Sequence, residues 1–265
     1  MSRRTPCTAT VRTRTGLAWA SVTDPNGRMY LSDEFNHRIA IEGPHGDSSA
    51  FGSFGSGAGE FRFPRGLALV SGRTPKASRL FVADTWNHRV QVFDGSGAFQ
   101  LAFGGFGHGD GQFNAPADIA IVSPQLPWET EGITVPMLVV ADEWNQRLQV
   151  FTLDGVWLAT LGGRTAQAEL APQGQGWPFF RIGSPAIPRN PVRLSWQTPW
   201  LTIVDGNGRT SRLDVAAAML PAFEEWLATS TPAERAHASR YFRLQGDALR
   251  SVSSTVREAI ATFAA

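Results

Sequence analysis

The sequence has little cysteine, little lysine and no long apolar run, and each shortage excludes a class of protein. Cys7 is the only cysteine among 265 residues, which excludes an internal disulfide and a cysteine-based metal site. No stretch of about 18 apolar residues occurs, so no membrane-spanning helix and no membrane partner are expected. The first ten residues lack the apolar core of a secretory signal. We therefore expect a soluble, cytoplasmic protein.

The charge composition favours no highly charged partner. The formal net charge is +1, and Lys76 is the only lysine, so nearly all positive charge belongs to arginine. A chain so close to neutral has no global attraction to nucleic acid or to an acidic membrane surface. The planar guanidinium of arginine pairs in a fixed geometry and stacks on aromatic rings, which suits structural ion pairs and binding surfaces alike.

Two sequence elements recur along the chain in the same order. The first ends a strand with an aspartate that is followed three residues later by asparagine, and the second is rich in glycine and phenylalanine. The copies of the first element are residues 29–41, 80–93, 138–151 and an eroded 200–214, and those of the second are 51–61 and 103–113. Short strands rich in Val, Leu, Ile and Phe separate these elements. Repetition of such units at a period of about 50 residues predicts a β-propeller.

The best-kept copy of this pattern carries a family resemblance. Asp84-Thr-Trp-Asn-His-Arg89, together with Phe-Gly-x-x-Gly-x-Gly-x-Phe and Pro-x-Gly-Leu-Ala, resembles the NHL repeat. The resemblance covers residues 16–163 well and 190–215 poorly. It implies an all-β propeller, usually of six blades, whereas this chain shows only about four. We therefore expect a β-propeller of about four NHL-like blades, each a four-stranded antiparallel sheet, with a short helical C-terminal extension.

The predicted domains follow from where the strand pattern begins and ends. The propeller occupies residues 16–215, and residues 1–15 form an N-terminal segment. Residues 8–12 are predicted to pair with the third strand of the last blade, which lacks a fourth strand, and so to close the ring. The alternative is an open arc whose edges are covered by the C-terminal helices or by a second copy of the chain. After residue 215 the pattern becomes helical, with capping signals at Thr231 and Thr255. Residues 216–265 are therefore the helical extension. The long stretch 166–190 is interpreted as an irregular connector.

The repeated polar residues are predicted to build the turns of the blades. Each aspartate would accept backbone N–H groups two or three residues further on, and each asparagine would supply the left-handed conformation of a tight turn. Arg89 would reach an adjacent blade, and four phenylalanines of the glycine-rich stretches would fill gaps between blades. Those phenylalanines are Phe54, Phe61, Phe106 and Phe113. The predicted structural set is Asp33, Asn36, Asp84, Asn87, Asp142, Asn145 and Asp205.

A candidate binding rim lies beside these turns. An aromatic residue precedes each asparagine, and a histidine or glutamine and then an arginine follow it. On one rim, these groups would form a rigid platform suited to recognition of a peptide or of single-stranded RNA. The candidate rim residues are Phe35, His37, Arg38, Trp86, His88, Arg89, Trp144, Gln146 and Arg147. The alternative is that each aromatic ring packs against the neighbouring blade.

No catalytic set is evident in the sequence. The Gly-x-Ser-x-Gly nucleophile elbow is absent. His37 and His88 occupy the same repeat position, but zinc needs three or four ligands and the third copy has Gln146. The leading hypothesis is a non-catalytic recognition or scaffold propeller that binds a protein or peptide on one face, without a metal or cofactor. Two alternatives remain open from related propellers: a metal-dependent enzyme of the lyase or lactonase type, and a single-stranded RNA-binding protein.

Overall fold

A computed structural model of the chain describes residues 11–13, 16–123, 136–162, 180–182, 190–198 and 200–215. Over these residues the chain forms the predicted all-β propeller, with four blades of antiparallel strands. No helix in this described part is long and apolar enough to cross a membrane. The predicted helices of residues 216–265 lie outside the described residues, as does most of the insertion within the third repeat.

The strands follow one another along the chain in blade order. A hairpin of β1 (Val11–Thr13) and β2 (Gly16–Ala18) comes first. Blade 1 contains β3 (Ser21–Thr23), β4 (Met29–Asp33), β5 (Arg38–Glu42) and β6 (Ser48–Phe51), and the linker after it contains β7 (Ser53–Phe54) and β8 (Glu60–Phe61). Blade 2 contains β9 (Pro64–Val70), β10 (Arg79–Asp84), β11 (Arg89–Asp94) and β12 (Phe99–Gly104).

The second half of the fold is less regular than the first. Blade 3 contains β13 (Pro116–Val122), β14 (Met137–Asp142), β15 (Arg147–Phe151) and β16 (Trp157–Gly162), and β17 (Phe180–Ile182) pairs with β16 in parallel. The predicted irregular connector therefore contains a strand. Blade 4 contains β18 (Pro191–Gln197), β19 (Trp200–Asp205) and β20 (Thr210–Asp214), with no fourth strand among the described residues.

Apolar strands are covered on both faces because each blade lies between two others. Every residue of β14 and β15 is buried. One hydrophobic cluster joins blades 1 and 2, a second joins blades 2 and 3, and a third joins blades 3 and 4. The near-continuous apolar runs of the sequence are explained by this packing, because a strand with one face in solvent would alternate instead.

The first strands of the blades line the axis, and the first and last blades meet there. β9 packs against β3 and β4, β13 packs against β9, and β18 packs against β13. Arg193 of blade 4 then donates a hydrogen bond of 2.8 Å to the carbonyl oxygen of Trp19, just before β3. Its guanidinium also lies 4.1 Å from the centre of the Trp19 ring. The axis is therefore surrounded by four blades.

The predicted closure strand pairs differently in the part that is described. Arg12 lies opposite Leu17, and Val11 lies opposite Ala18, so β1 extends the first strand of blade 1 as a hairpin. Within the described residues, β20 pairs only with β19. Residues 8–10 of the predicted strand are outside the described part, and the three domain boundaries remain predictions.

Antiparallel topology places two kinds of loop on one face of the propeller. Because the strands of a blade alternate in direction, the turn between its second and third strands lies on the same face as the linker to the next blade. This face, the upper face, carries the turns 34–37, 85–88 and 143–146 and the linkers 52–63 and 105–115. The insertion at residues 71–78 connects a first to a second strand and so lies on the opposite, lower face.

Candidate functional site

A buried carboxylate organises the joint between blades 2 and 3. Asp142 is fully buried at the end of β14 and accepts hydrogen bonds from the backbone N–H of Asn114 (2.7 Å), from Asn145 Nδ2 (2.8 Å) and from Arg147 Nε (2.8 Å). Asn145 and Arg147 belong to the same blade, whereas Asn114 belongs to the linker. The aspartate therefore ties its blade to the chain that leads into it.

The arginine and asparagine of the motif then bind the linker through its carbonyl oxygens. Arg147 donates to the carbonyl oxygens of His108, Gly109 and Gln112 at 2.7–2.8 Å. Asn145 donates to the carbonyl oxygen of Gly107 at 2.9 Å. These partners use most of the donors of the guanidinium fork, and its side chain is only 8% exposed. Arg147 therefore contacts the linker that leads into its own blade.

The joint between blades 1 and 2 repeats the same geometry. Asp84 accepts from the backbone N–H of Arg62 and from the side chains of Asn87 and Arg89, at 2.8–2.9 Å. Arg89 donates to the carbonyl oxygens of Gly57 and Glu60 at 2.7 and 3.0 Å. Two independent joints with the same donor–acceptor set show that the repeat encodes the contact between blades.

Two details of the predicted turn chemistry are wrong for the first three blades, although Asp205 of blade 4 does accept the backbone N–H of Asn207, two residues on. Asp33, Asp84 and Asp142 accept no hydrogen bond from the backbone N–H groups two or three residues on, because their oxygens face the motif side chains and, in blades 2 and 3, the linker. The left-handed residue is not the asparagine but its successor, with φ of 55–56° at His37, His88 and Gln146. The asparagine amide is thereby turned toward the carboxylate and, at the two joints, toward a linker carbonyl.

Burial dominates the protonation of the joint aspartates. Burial raises the pKa of Asp84 and of Asp142, and hydrogen bonds and the neighbouring arginine oppose this shift. Each carboxylate is saturated by donors that hold the joint together. These bonds hold each carboxylate in the contact between two blades, and the structural role of both aspartates stays a prediction.

The repeat histidines also connect neighbouring blades. Nδ1 of His37 accepts a hydrogen bond of 3.1 Å from the backbone N–H of Phe63, and Nδ1 of His88 accepts one of 3.1 Å from Ala115. Burial lowers the pKa of His88, although Asp142 and Asp84 oppose the shift. Both acceptor roles assign the proton of the neutral ring to Nε2. Among the described residues, no group of three or more His, Cys, Asp or Glu side chains could hold a metal ion.

Aromatic rings form a continuous row across three blades on the upper face. The centroid of Phe35 lies 6.5 Å from that of Phe63, Phe63 lies 6.4 Å from Trp86, and Trp86 lies 5.1 Å from Trp144, all edge to face. We call these four residues the aromatic ridge. Phe35, Trp86 and Trp144 are 74%, 41% and 51% exposed. Each ring touches a neighbouring blade or linker and also faces solvent, so the packing alternative holds in part, and the role of the rings in recognition stays a prediction.

Two further phenylalanines widen this aromatic surface. Phe54 and Phe106 are more than half exposed, and their rings contact His37 and His88 at about 5 Å. They do not fill gaps between blades as predicted, whereas Phe61 and Phe113 do and are fully buried. Phe113 fits because the ring lies where a side chain of Gly104 would be, and Gly104 has a φ of +99°. Within the described part, five of seven exposed large hydrophobic side chains lie on the upper face.

A polar cluster occupies the axis beside the ridge. Arg65 of β9 pairs with Glu34 of blade 1 at 2.8 Å and with Glu143 of blade 3 at 3.4 Å. Its guanidinium also lies 4.5 Å from the ring centre of Trp19, whose other contact is Arg193. Burial raises the pKa of Glu143, and Arg65 opposes this shift. The cluster links all four blades and fixes their spacing at the upper end of the axis.

Sequence reasoning located the rim residues but missed several that complete the site. The nine candidate rim residues all belong to the three upper-face turns or to the strand that follows each, and their role in binding stays a prediction. Phe63 was missed, although its position before the proline of a first strand was a usable signal. The buried Gln91 and Gln149 were also missed, and both donate to linker carbonyl oxygens. Their recurrence two residues after the repeat arginine was visible in the sequence.

Comparison with known proteins confirms the predicted resemblance to NHL-repeat proteins over part of the chain. RING finger protein nhl-1 of Caenorhabditis elegans and Protein brain tumor of Drosophila melanogaster are each 40% identical to this chain over 72 residues, or 27% of its length. The match spans only 7% and 6% of those two proteins. No protein-family model matches the chain.

Solved structures with a similar arrangement of strands are remote in sequence. Virginiamycin B lyase from Staphylococcus aureus is 9% identical, with a TM-score of 0.42 over 77% of this chain and 58% of the lyase. An auxiliary nutrient binding protein from Bacteroides thetaiotaomicron is 13% identical, with a TM-score of 0.49 over 72% of this chain and 46% of that protein.

Proposed function

We propose that this chain is a recognition module that binds a protein or peptide partner on the upper face of the propeller, through the aromatic ridge. The observation that carries the proposal is the run of exposed rings from Phe35 to Trp144, which crosses three blades without interruption. Exposed aromatic side chains cost solvation free energy in a free protein, and they are enriched where proteins bind one another.

The rigidity of the ridge supports this function. The backbone N–H of Trp86 donates to the carbonyl oxygen of Arg62, and that of Trp144 donates to Asn114, each at 3.1 Å. The turns that carry the two tryptophans are thus anchored to the linkers and to the buried aspartates. A preformed aromatic surface loses little conformational entropy on binding, which favours affinity for a flexible peptide.

The distribution of arginine favours a peptide over RNA. RNA binding depends on cations that are free to contact phosphates. Arg89 and Arg147 are instead bound to linker carbonyl oxygens, and Arg65 is bound to two glutamates. Of the described arginines in the turns and linkers of this face, Arg62 and Arg209 are exposed and Arg38 is partly exposed, and Arg62 lies 5.3 Å from the ring centre of Phe54.

The two NHL-repeat relatives are consistent with a module of this kind. The matching segment of 72 residues is a small part of each relative, so in both proteins it belongs to a much longer chain. A propeller that supplies a binding face to such a chain requires no chemistry of its own. The partner of the present chain is not identified by these names.

The test uses matched tryptophan substitutions. Peptides selected from a random displayed library on the wild-type protein are measured by isothermal titration against wild type, a Trp86→Ala/Trp144→Ala variant and a Trp200→Ala variant. Trp200 is 43% exposed but begins β19, so it lies on the lower face and serves as the control. We expect the double variant to bind at least about tenfold more weakly and the control to bind as wild type does.

Three results would redirect the proposal. Equal binding by wild type and the double variant would place the site elsewhere, provided that both unfold at the same urea concentration. Tight, salt-sensitive binding of single-stranded RNA oligonucleotides that is lost in an Arg62→Ala variant would favour the RNA alternative. Elemental analysis that finds one tightly held zinc or calcium ion per chain would favour the metal-dependent enzyme.

A further inference from the structure

Blade 1 contains the same Asp, Asn and Arg motif as the two joints, but among the described residues no linker binds to it. Asp33, Asn36 and Arg38 correspond to Asp84, Asn87 and Arg89, and no glycine-rich linker precedes them in the sequence. Asn36 Nδ2 and Arg38 Nε donate to the Asp33 carboxylate at 2.8 and 2.9 Å. In the part of the chain that the structure describes, these side chains make no other hydrogen bond.

The open motif has the geometry of the occupied ones. The aspartate has φ and ψ of −87° and 79° in blade 1 and of −87° and 76° in blade 2, and the histidine that ends the turn has φ of 55° in both. Arg38 Nε bonds the carboxylate as Arg89 Nε does. The backbone of the turn therefore needs no rearrangement, and binding would require only that the Asn36 amide move from one Asp33 oxygen to the other.

Three groups that bind the linker in blades 2 and 3 have no linker partner in blade 1 among the described residues, and the third of them, an oxygen of Asp33, is bonded by Asn36 instead. The terminal nitrogens of Arg38 have no carbonyl partner among the described residues, and the side chain is 39% exposed, against 17% for Arg89 and 8% for Arg147. The backbone N–H of Phe35 lacks the bond that Trp86 makes to a linker carbonyl. Asn36 Nδ2 donates to Asp33 Oδ1, which corresponds to the Asp84 oxygen that accepts the linker N–H of Arg62. Asn87 Nδ2 donates instead to Asp84 Oδ2, the oxygen that also binds Arg89.

We propose that the turn 33–38 of blade 1 is a binding site for a glycine-rich turn of a partner polypeptide. The two occupied joints show what the site accepts: a short Gly-x-Gly stretch whose carbonyl oxygens face the arginine and the asparagine. Glycine suits this role because successive carbonyls must approach one guanidinium closely along a tight chain path. The inference adds a second, polar site to the proposed function and does not depend on the ridge.

Two residues of blade 1 differ from their counterparts in blade 2 and restrict the kind of ligand that the site can bind. Ala40 stands where Gln91 contacts the linker, and Glu42 stands where Phe93 packs against the buried Phe61. The site therefore lacks the pocket for the phenylalanine that ends each linker of this chain. A ligand needs the glycine-rich turn itself, and its following residues are free to be polar.

The probe is a synthetic peptide with the sequence of residues 103–116 of this chain. A fluorophore at its amino end reports binding by anisotropy, and a peptide with Gly107, Gly109 and Gly111 replaced by alanine is the ligand control. We expect wild type to bind the first peptide, the Arg38→Ala variant to bind at least about tenfold more weakly, and Arg38→Lys to recover little of the loss, because lysine lacks the fork. Arg209→Ala removes an exposed charge from blade 4 and is expected to bind as wild type does.

Several outcomes would overturn the inference. Equal binding by wild type and Arg38→Ala, equal binding of the two peptides, or no binding at millimolar peptide each contradict it. Sedimentation velocity tests the competing occupant: self-association of wild type that Arg38→Ala abolishes would assign the site to a second copy of this chain. A Trp86→Ala/Trp144→Ala variant that keeps peptide binding separates this site from the ridge, so failure of one proposal does not decide the other.

Discussion

Blades 3 and 4 place an aspartate at the end of the second strand and use it in different ways. Asp142 reaches outward, to the linker that leads into its blade and to the arginine that binds this linker. Asp205 turns back on its own hairpin and accepts the backbone N–H groups of Asn207 and Arg209 at 2.9 and 2.8 Å. The two positions align in sequence, yet only one joins two blades. The spacing of aspartate, asparagine and arginine that recurs in the first three blades is therefore needed for the contact between blades and not for the folding of a single blade.

The largest predicted difference in stability is between alanine variants of these two aspartates. Asp142→Ala should lower the free energy of unfolding by about 3–5 kcal/mol, because it leaves the largely buried Arg147 without its carboxylate. Asp205→Ala should cost only about 1 kcal/mol, because solvent can replace a partner in a hairpin at the edge of the fold. Urea unfolding followed by tryptophan fluorescence measures both values. Similar losses in the two variants would mean that Asp142 works locally, as Asp205 does.

A smaller difference in stability is expected between alanine substitutions at two glycines, Gly66 of blade 2 and Gly206 of blade 4. A Cβ atom on Gly66 would lie 2.4 Å from the Cα of Asp118, where β9 and β13 approach each other at the axis. Gly66→Ala should therefore lower the free energy of unfolding by about 1–3 kcal/mol, since backbone must move to make room. At Gly206 the nearest atom, Val192 Cγ2, is 3.7 Å away, so Gly206→Ala should change stability by less than about 0.5 kcal/mol.

Measured melting curves of the two alanine variants decide this point. An unchanged melting temperature for Gly66→Ala would show that the inner strands of blades 2 and 3 can separate without cost. The spacing of the blades would then be set by the axial cluster of Arg65, Glu34 and Glu143 alone.

The strands of the propeller were predictable from the sequence, whereas the contacts of the motif were not. The apolar segments of blade 2 predict strands at residues 66–70, 79–83, 88–93 and 98–103, and these agree with β9 to β12 within two residues at each end. They could be predicted because short apolar segments between glycine and aspartate encode local structure. The partners of Asp84 lie partly in the linker, 22 residues earlier in the chain, and a spacing of three residues carries no information about such a contact.

The site was likewise only partly predictable. Aromatic residues before the asparagines indicated an exposed rim, and Phe35, Trp86 and Trp144 are exposed. A separate prediction placed all four phenylalanines of the glycine-rich stretches between blades, but only Phe61 and Phe113 are buried there, whereas Phe54 and Phe106 are exposed. Phe54 and Phe61 lie at the two ends of one run of glycines, and Phe106 and Phe113 lie at the two ends of another. The backbone twist of each run decides which of its two rings turns inward. This twist depends on positive φ angles, such as those of Gly59 and Gly111, that many glycines could adopt equally well.

The smallest predicted effect concerns the histidine link between blades 2 and 3. Because burial lowers the pKa of His88, the unfolded chain binds the proton more readily than the folded protein does. The stabilising contribution is therefore complete above the unfolded pKa of about 6.5 and is lost as the pH falls below it. Protonation would also turn Nδ1 into a donor that opposes the N–H of Ala115. We expect the loss to be no larger than the hydrogen bond itself, about 1 kcal/mol.

A His88→Gln variant isolates this contribution, because Gln146 already occupies the same left-handed position in blade 3. Carboxylates also titrate in acid, so the informative quantity is the difference in unfolding free energy between wild type and variant at each pH from 7.5 to 5.5. That difference should shift in favour of the variant as the pH falls, since glutamine does not titrate. His45→Gln, an exposed change in the turn between β5 and β6, provides the control and should give a constant difference. A constant difference for His88→Gln as well would mean that His88 keeps its hydrogen bond in acid, and that the joint rests on Asp142 and Arg147 alone.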